Sequence, residues 1–275
     1  MRLFQTSEGL ARQVSDSELG ILNIAESSLD EVLANGTLES LAQAAIKSHQ
    51  PIAKARWLSP VLKPSRFVIA GLNYKAHCEE IGRPVPQKLL FGFAPGSAAH
   101  PAEQPILMPT GADTEVDYEG EIGVVISQQA SNVSADDAWS VVAGLVPLND
   151  VSARDVQAAG TLEAVGKAKG FDTFKPFGPC LATIDEFENP LDISIKTWVN
   201  GELRQEGRSG DMVFSIPKII EIVTSATALE PGDVICTGTP GGVAHGGAYP
   251  YLIPGDTVEI EVEGLPRLVN SLAPD

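Results

Sequence analysis

Asp117-Tyr118-Glu119-Gly120-Glu121-Ile122-Gly123-Val124-Val125 is the stretch around which the rest of the chain can be ordered. Tyr118 to Ile126 is rich in β-branched residues and reads as a strand. Side chains alternate across a strand, so Glu119 and Glu121 project from one face together with Gly123 and Val125. Gly120, Ile122, Val124 and Ile126 take the other face. Two carboxylates side by side repel, and burial would push one toward its neutral form unless a cation lay between them. Hard divalent ions such as Mg²⁺, Mn²⁺ and Ca²⁺ prefer oxygen donors. A third oxygen could come from Asp150, just after the apolar run Val141–Leu148, where a strand meets a loop. On the residues alone, a solvated strand face, with Asp150 capping the next helix, is the better reading.

Other strands and turns surround this segment. Phe67-Val68-Ile69-Ala70 is a short apolar strand, and Thr257–Val262 alternates apolar with polar as a half-buried strand does. Thr197–Leu203 reads as a hairpin, because Asn200-Gly201 suits the type I′ turn that matches strand twist. Pro-Gly-Asp turns at 231–233 and 254–256 each introduce a strand. A helix begins after Ser215, with Pro217 in its first turn and Ile219, Ile220, Ile222 and Val223 as its apolar residues. Residues 1–60 differ in texture. They are rich in Ala, Leu, Ser and Glu, and Leu29–Ala45 has helical apolar spacing broken at Asn35-Gly36. The chain is therefore expected to be α+β, with a small N-terminal cap or dimerisation domain (1–60) and an irregular mixed-β catalytic domain with short helices (61–275).

The chain of 275 residues is 43% hydrophobic and 20% charged, an ordinary globular composition. Its formal net charge of −17 disfavours nucleic acid and anionic membrane as partners. An anionic substrate would need a local metal, Arg or Lys. The N-terminus lacks the apolar core of a signal peptide, and Val141–Leu148 is too short to span a bilayer. Cys78, Cys180 and Cys236 have no CxxC spacing, which points to a reducing, cytoplasmic setting and to buried gap-filling thiols.

His77 and Glu80 are three apart in a helix-like segment and would share a face; a carboxylate there orients an imidazole for general-base work, although an incidental surface pair has the same spacing. Arg154 and Gln157 follow Asp150 at the same interval, and Arg154 could clamp a carboxylate. Lys169 is a second candidate cation, with surface ion pairing as the plainer reading for both. Thr237-Gly238-Thr239-Pro240-Gly241-Gly242-Val243 lacks the signatures of a phosphate loop or a dinucleotide fingerprint, so no nucleotide or organic cofactor is expected. His49, His100 and His245 receive no role.

Taken in order, the segments around Asn73-Tyr74, His77 and Glu80, Asp117–Val125, Asn149–Gln157, Ala168–Asp172 and Gly232–Val243 resemble the fumarylacetoacetate hydrolase family, over about Arg66 to Leu272. The resemblance implies an irregular mixed β-roll, usually a homodimer. It implies Mg²⁺ or Mn²⁺, with Ca²⁺ also compatible, on Glu119, Glu121 and Asp150. It gives His77 and Glu80 as a water-activating dyad on a segment that closes over ligand. Lys169 is implied as the catalytic cation, and Arg154, Gln157, Thr239 and Tyr74 as substrate contacts. Phe93 stands where many members carry the lysine of Phe-x-Lys-Pro, which implies a more apolar pocket wall. The expected activity is metal-dependent hydrolysis of a C–C bond in a β-diketone or acylpyruvate. The alternatives are an isomerase, an oxaloacetate decarboxylase or a sugar-acid dehydratase on the same site. A more distant one is a non-enzymatic β module holding structural Ca²⁺.

Overall fold

A computed structural model describes residues 1–109 and 115–274. Its centre is a ten-stranded sheet. From edge to edge the strands are Ile46–Pro51, Glu18–Leu22, Gly9–Ser15, Arg2–Thr6, Cys180–Ala182, Val142–Asn149, Gly120–Ile126, Val234–Cys236, Arg66–Gly71 and Leu90–Pro95. All neighbours pair antiparallel except Val234–Cys236 with Arg66–Gly71. The second sheet has five strands, in the order Glu202–Arg208, Ser194–Val199, Thr257–Val262, Leu268–Pro274 and Ile106–Met108. Every residue of Gly120–Ile126 and Val142–Asn149 is buried, so this strand pair is covered on both faces. That explains why these stretches are near-continuously apolar rather than alternating. Ile122, Val124 and Ile126 face one core cluster; Val125, Val146 and Leu148 face another.

The α+β class expected from the sequence is what the structure shows. The hairpin turns at Asn200-Gly201, both with positive φ, and the helix after Ser215 runs Ile216–Ala226. In the first 60 residues, the helix Leu29–Asn35 ends at Gly36, which adopts the left-handed conformation and donates its N–H back to the helix. The strands there are a difference from the sequence reading. Arg2–Thr6 pairs with Cys180–Ala182, and Leu29, Val32 and Leu33 share a core with Phe67, Val125 and Phe177. The N-terminal unit thus extends the same sheet as the rest of the body.

Two features bring the second sheet onto the acidic strand. A Cβ at Gly120 would run into Thr197 Oγ1, so only glycine allows this approach. Gly242 has a φ of +105°, and a Cβ there would meet the Arg204 carbonyl. The 237–243 loop can therefore lie flat against Glu202–Arg208.

Candidate active site

Where the two sheets meet, seven charged side chains are buried together. Asp117, Glu119, Glu121 and Asp150 are the acids; Arg154, Lys169 and Lys175 are the bases. The Lys169 ammonium donates to Glu119 Oε2 (2.7 Å), Asp150 Oδ2 (2.7 Å) and Ser152 Oγ (2.8 Å). Lys175 Nζ lies 2.6 Å from Asp150 Oδ1. Arg154 pairs through Nη2 with Glu119 Oε1 (2.7 Å) and through Nε with Asp117 Oδ2 (2.9 Å), and its Nη1 donates to Gln157 Oε1 (2.9 Å). Register brings the acids together: the Asp150 N–H donates to the Glu119 carbonyl (2.9 Å), and Asn149 Oδ1 accepts the Glu119 N–H (3.0 Å).

The electrostatics are uneven. Burial opposes ionisation of Glu119, but Lys169 and Arg154 overcome it and hold the carboxyl well below the usual range. Glu121 is the opposite case. Burial, then Asp150, then Glu119 push its carboxyl far up, and its hydrogen bond from Gly238 N–H (2.9 Å) only partly offsets them. Among the described residues no Lys or Arg pairs with Glu121. Lys169 stays a cation because Asp150 and Glu119 outweigh its desolvation. Among the described residues four buried carboxyl groups face three buried cations, and Glu121 is the one that no cation meets, so the residues fit a divalent cation, which would favour its ionised form.

His77 sits on the helix Lys75–Glu80 and is only 6% exposed. Its Nδ1 is 2.8 Å from Glu80 Oε1. An ionised carboxylate only accepts, so this pairing places the proton on Nδ1 and leaves a lone pair on Nε2. Glu80 Oε2 accepts the Gly242 N–H at 2.7 Å. Asn73 donates to the Phe214 and Thr237 carbonyls (3.0 and 2.8 Å). The helix is thereby tied to the glycine-rich loop at both ends. His77 also lies close enough to help lower Glu119. The Tyr74 hydroxyl is buried without a hydrogen-bond partner, and burial followed by Glu121 raises its pKa.

The other expected contacts lie in hydrogen-bond networks or at the surface. Arg154 and Gln157 were expected to contact substrate, but they bond each other, and the Arg154 guanidinium is taken up by Asp117 and Glu119. Thr239 Oγ1 donates to the Gly120 carbonyl (2.9 Å) and accepts from Gln205 Nε2 (2.7 Å), so its hydroxyl serves the scaffold. Phe93 is not brought to the site. It is 42% exposed on the edge strand, under the Arg66 guanidinium (5.0 Å), and lines an open cleft with Pro95, Lys167 and Phe171. Alternation turns Ala94, not Phe93, toward the interior. The expected apolar wall is therefore not supplied by Phe93.

Sequence reasoning also missed residues. Asp117 accepts from Arg154 and from the Ala244 and His245 N–H groups (2.9 and 3.0 Å). Its spacing, two before Glu119, was a usable signal. Gln205 accepts the Gly120 N–H (2.9 Å) and donates to Thr239 and to the Pro240 carbonyl (3.0 Å). Nothing local in the sequence marks it or Lys175. Gln205→Leu should leave the Gly120 N–H buried and unpaired. The cost is about 1–3 kcal/mol of stability by chemical denaturation, with kcat/KM falling on the order of tenfold.

Comparison with known proteins decides the ancestry. Residues 66–273 match the family model described as fumarylacetoacetate (FAA) hydrolase C-terminal. The chain belongs to the fumarylacetoacetate hydrolase family. All of the buried charged residues, with His77 and Glu80, fall inside the match. The human mitochondrial oxaloacetate tautomerase FAHD2A is 37% identical over 238 residues, 85% of this chain and 75% of that protein. The Bacillus subtilis oxaloacetate tautomerase YisK is 34% identical over 226 residues, covering 80% and 74%. The structure of a maleylpyruvate hydrolase from Sphingobium sp. SYK-6, in complex with manganese(II) and pyruvate, superposes with a TM-score of 0.80 at 27% identity, covering 100% of this chain and 99% of that one. Relatives in this enzyme family thus include tautomerases and hydrolases, and one neighbour binds manganese. No described helix of this fumarylacetoacetate hydrolase family member is long and apolar enough to cross a membrane.

Proposed function

We propose that the protein catalyses divalent-metal-dependent enolisation of a small 2-oxo acid, with keto–enol interconversion of oxaloacetate or a close homologue as its reaction. The observation that carries this reading is the His77 imidazole, fixed by Glu80, beside a buried acidic cluster in which Glu121 meets no lysine or arginine among the described residues. Glu121 and Asp150 would hold the ion, with Glu119 joining them by exchanging one of its two cation contacts for it. When bound, a divalent cation supplies Lewis-acid polarisation of the 2-oxo group and lowers the cost of enolate charge.

The protein residues then do three things. His77 Nε2, with its lone pair free, takes a proton from the carbon next to the oxo group, and the enol oxygen gains one; ketonisation is the reverse. Glu80 keeps the imidazole in the tautomer that can do this and steadies its positive form. Lys169 keeps Glu119 ionised and pairs with Asp150, and the buried Tyr74 hydroxyl is free to donate to a ligand oxygen. The net charge of −17 makes this local positive charge necessary for an anionic substrate. We further propose that the protein is a homodimer.

A second reading, C–C hydrolysis of an acylpyruvate, is favoured by the same His77–Glu80 pair, which could deprotonate a water. The relatives named as tautomerases are the more similar in sequence. The test follows ultraviolet loss of enol-oxaloacetate, and of acylpyruvates, with Mg²⁺ or Mn²⁺. Enol loss should accelerate without release of acid, and chelator should slow it at least ~100-fold, since Lewis-acid polarisation contributes several kcal/mol. Release of pyruvate plus a carboxylic acid from acylpyruvates would favour hydrolysis instead. No metal-dependent rate with either substrate would refute both.

A further inference from the structure

Cys236 ends the strand Val234–Cys236 directly opposite Gly123. Gly123 and Glu121 lie on the same face of their strand, so the paired position turns the Cys236 sulfur toward the face that carries the acids. One oxygen of Glu121, one of Asp150 and Cys236 Sγ all lie within 4.8 Å of one another, and all three residues are buried. Donors bound at about 2.0–2.3 Å from one ion sit at most about 4.5 Å apart, so only small side-chain shifts separate this arrangement from a shared ion. A second observation points the same way. Asp150 Oδ1 is fully buried and accepts no hydrogen bond. The Lys175 ammonium 2.6 Å away meets it outside hydrogen-bond geometry, so that pairing is coulombic only. Glu119, by contrast, already has each oxygen paired with a cation, Arg154 or Lys169.

We propose that Cys236 is a metal ligand, forming with Glu121 and Asp150 a mixed sulfur–oxygen site for borderline and soft divalent cations such as Co²⁺, Zn²⁺ and Cd²⁺. The proposal rests on the reading that these carboxylates hold a divalent ion, and adds that the ion is selected by sulfur. Binding replaces the S–H bond with a metal–sulfur bond, and the proton leaves to solvent. A thiolate favours softer ions over Mg²⁺, so the protein should discriminate against magnesium more than an all-oxygen site would.

The test is Co²⁺ titration of the purified protein, watched for thiolate-to-cobalt charge transfer in the near ultraviolet and for affinity by calorimetry. The wild type should show the band. A Cys78→Ser/Cys180→Ser double variant should keep it, and Cys236→Ser should lose it, with Cys236→Ala as a second variant should the serine form fail to fold. Affinity for Co²⁺ should fall about tenfold or more in the Cys236 variant, while affinity for Mn²⁺, a harder ion, stays within about threefold. Cobalt binding without the band, or a band that survives loss of Cys236, overturns the cysteine's role and leaves the carboxylate reading intact. Failure of the wild type to bind either Co²⁺ or Mn²⁺ overturns both.

Discussion

His77→Ala should lower turnover by ~10²–10⁴-fold, the range set by loss of a positioned general acid–base group. It should leave divalent-ion affinity within a few-fold. His77 makes its one described side-chain hydrogen bond with Glu80, so its removal takes away the proton carrier and spares the carboxylates. Glu80→Gln is the informative companion. Glutamine keeps one acceptor oxygen for Nδ1, while its NH2 group replaces the oxygen that accepted the Gly242 N–H, and the imidazolium loses its counter-charge. Its effect should be smaller than that of His77→Ala. Steady-state rates and calorimetric metal binding check both variants. A His77→Ala enzyme with wild-type turnover would mean that the proton moves elsewhere.

Lys169→Met should have the largest effect on stability. Lys169 is the shared partner of Glu119 and Asp150, and all three are buried. Its removal leaves two carboxylates facing each other without it, and breaking a buried pair this way costs about 3–5 kcal/mol. The variant should therefore unfold earlier in denaturant when metal-free. Added Mn²⁺ should restore much of the loss, because a cation can then replace the ammonium charge. Affinity for the ion should rise while turnover falls. Unfolding curves with and without Mn²⁺ test this, and equal stability of variant and wild type without metal would contradict the pairing.

Much of the site was legible because it is local. The strand reading placed Glu121, although the strand begins at Gly120 and Glu119 lies just before it rather than within it; helical spacing joined His77 to Glu80, and Asn200-Gly201 fixed a hairpin. What was not legible depends on distant pairing. Arg2–Thr6 finds its partner at Cys180–Ala182, and no property of either segment specifies the other. Arg154 and Thr239 have the chemistry to bind ligand, yet Asp117 and Gln205, brought in by long-range contacts, occupy their polar groups. Phe93 shows the sensitivity of strands, where a one-residue difference in register moves a side chain to the opposite face. Cys236 was read as gap-filling because burial was foreseeable and its neighbours were not.

The most direct measurement is anomalous X-ray diffraction from crystals saturated with Mn²⁺. A single strong manganese peak within bonding distance of oxygens from Glu121 and Asp150 is the expected result. Well-ordered density with Asp150 still paired only to Lys169 and Lys175, and no peak between it and Glu121, would contradict the account.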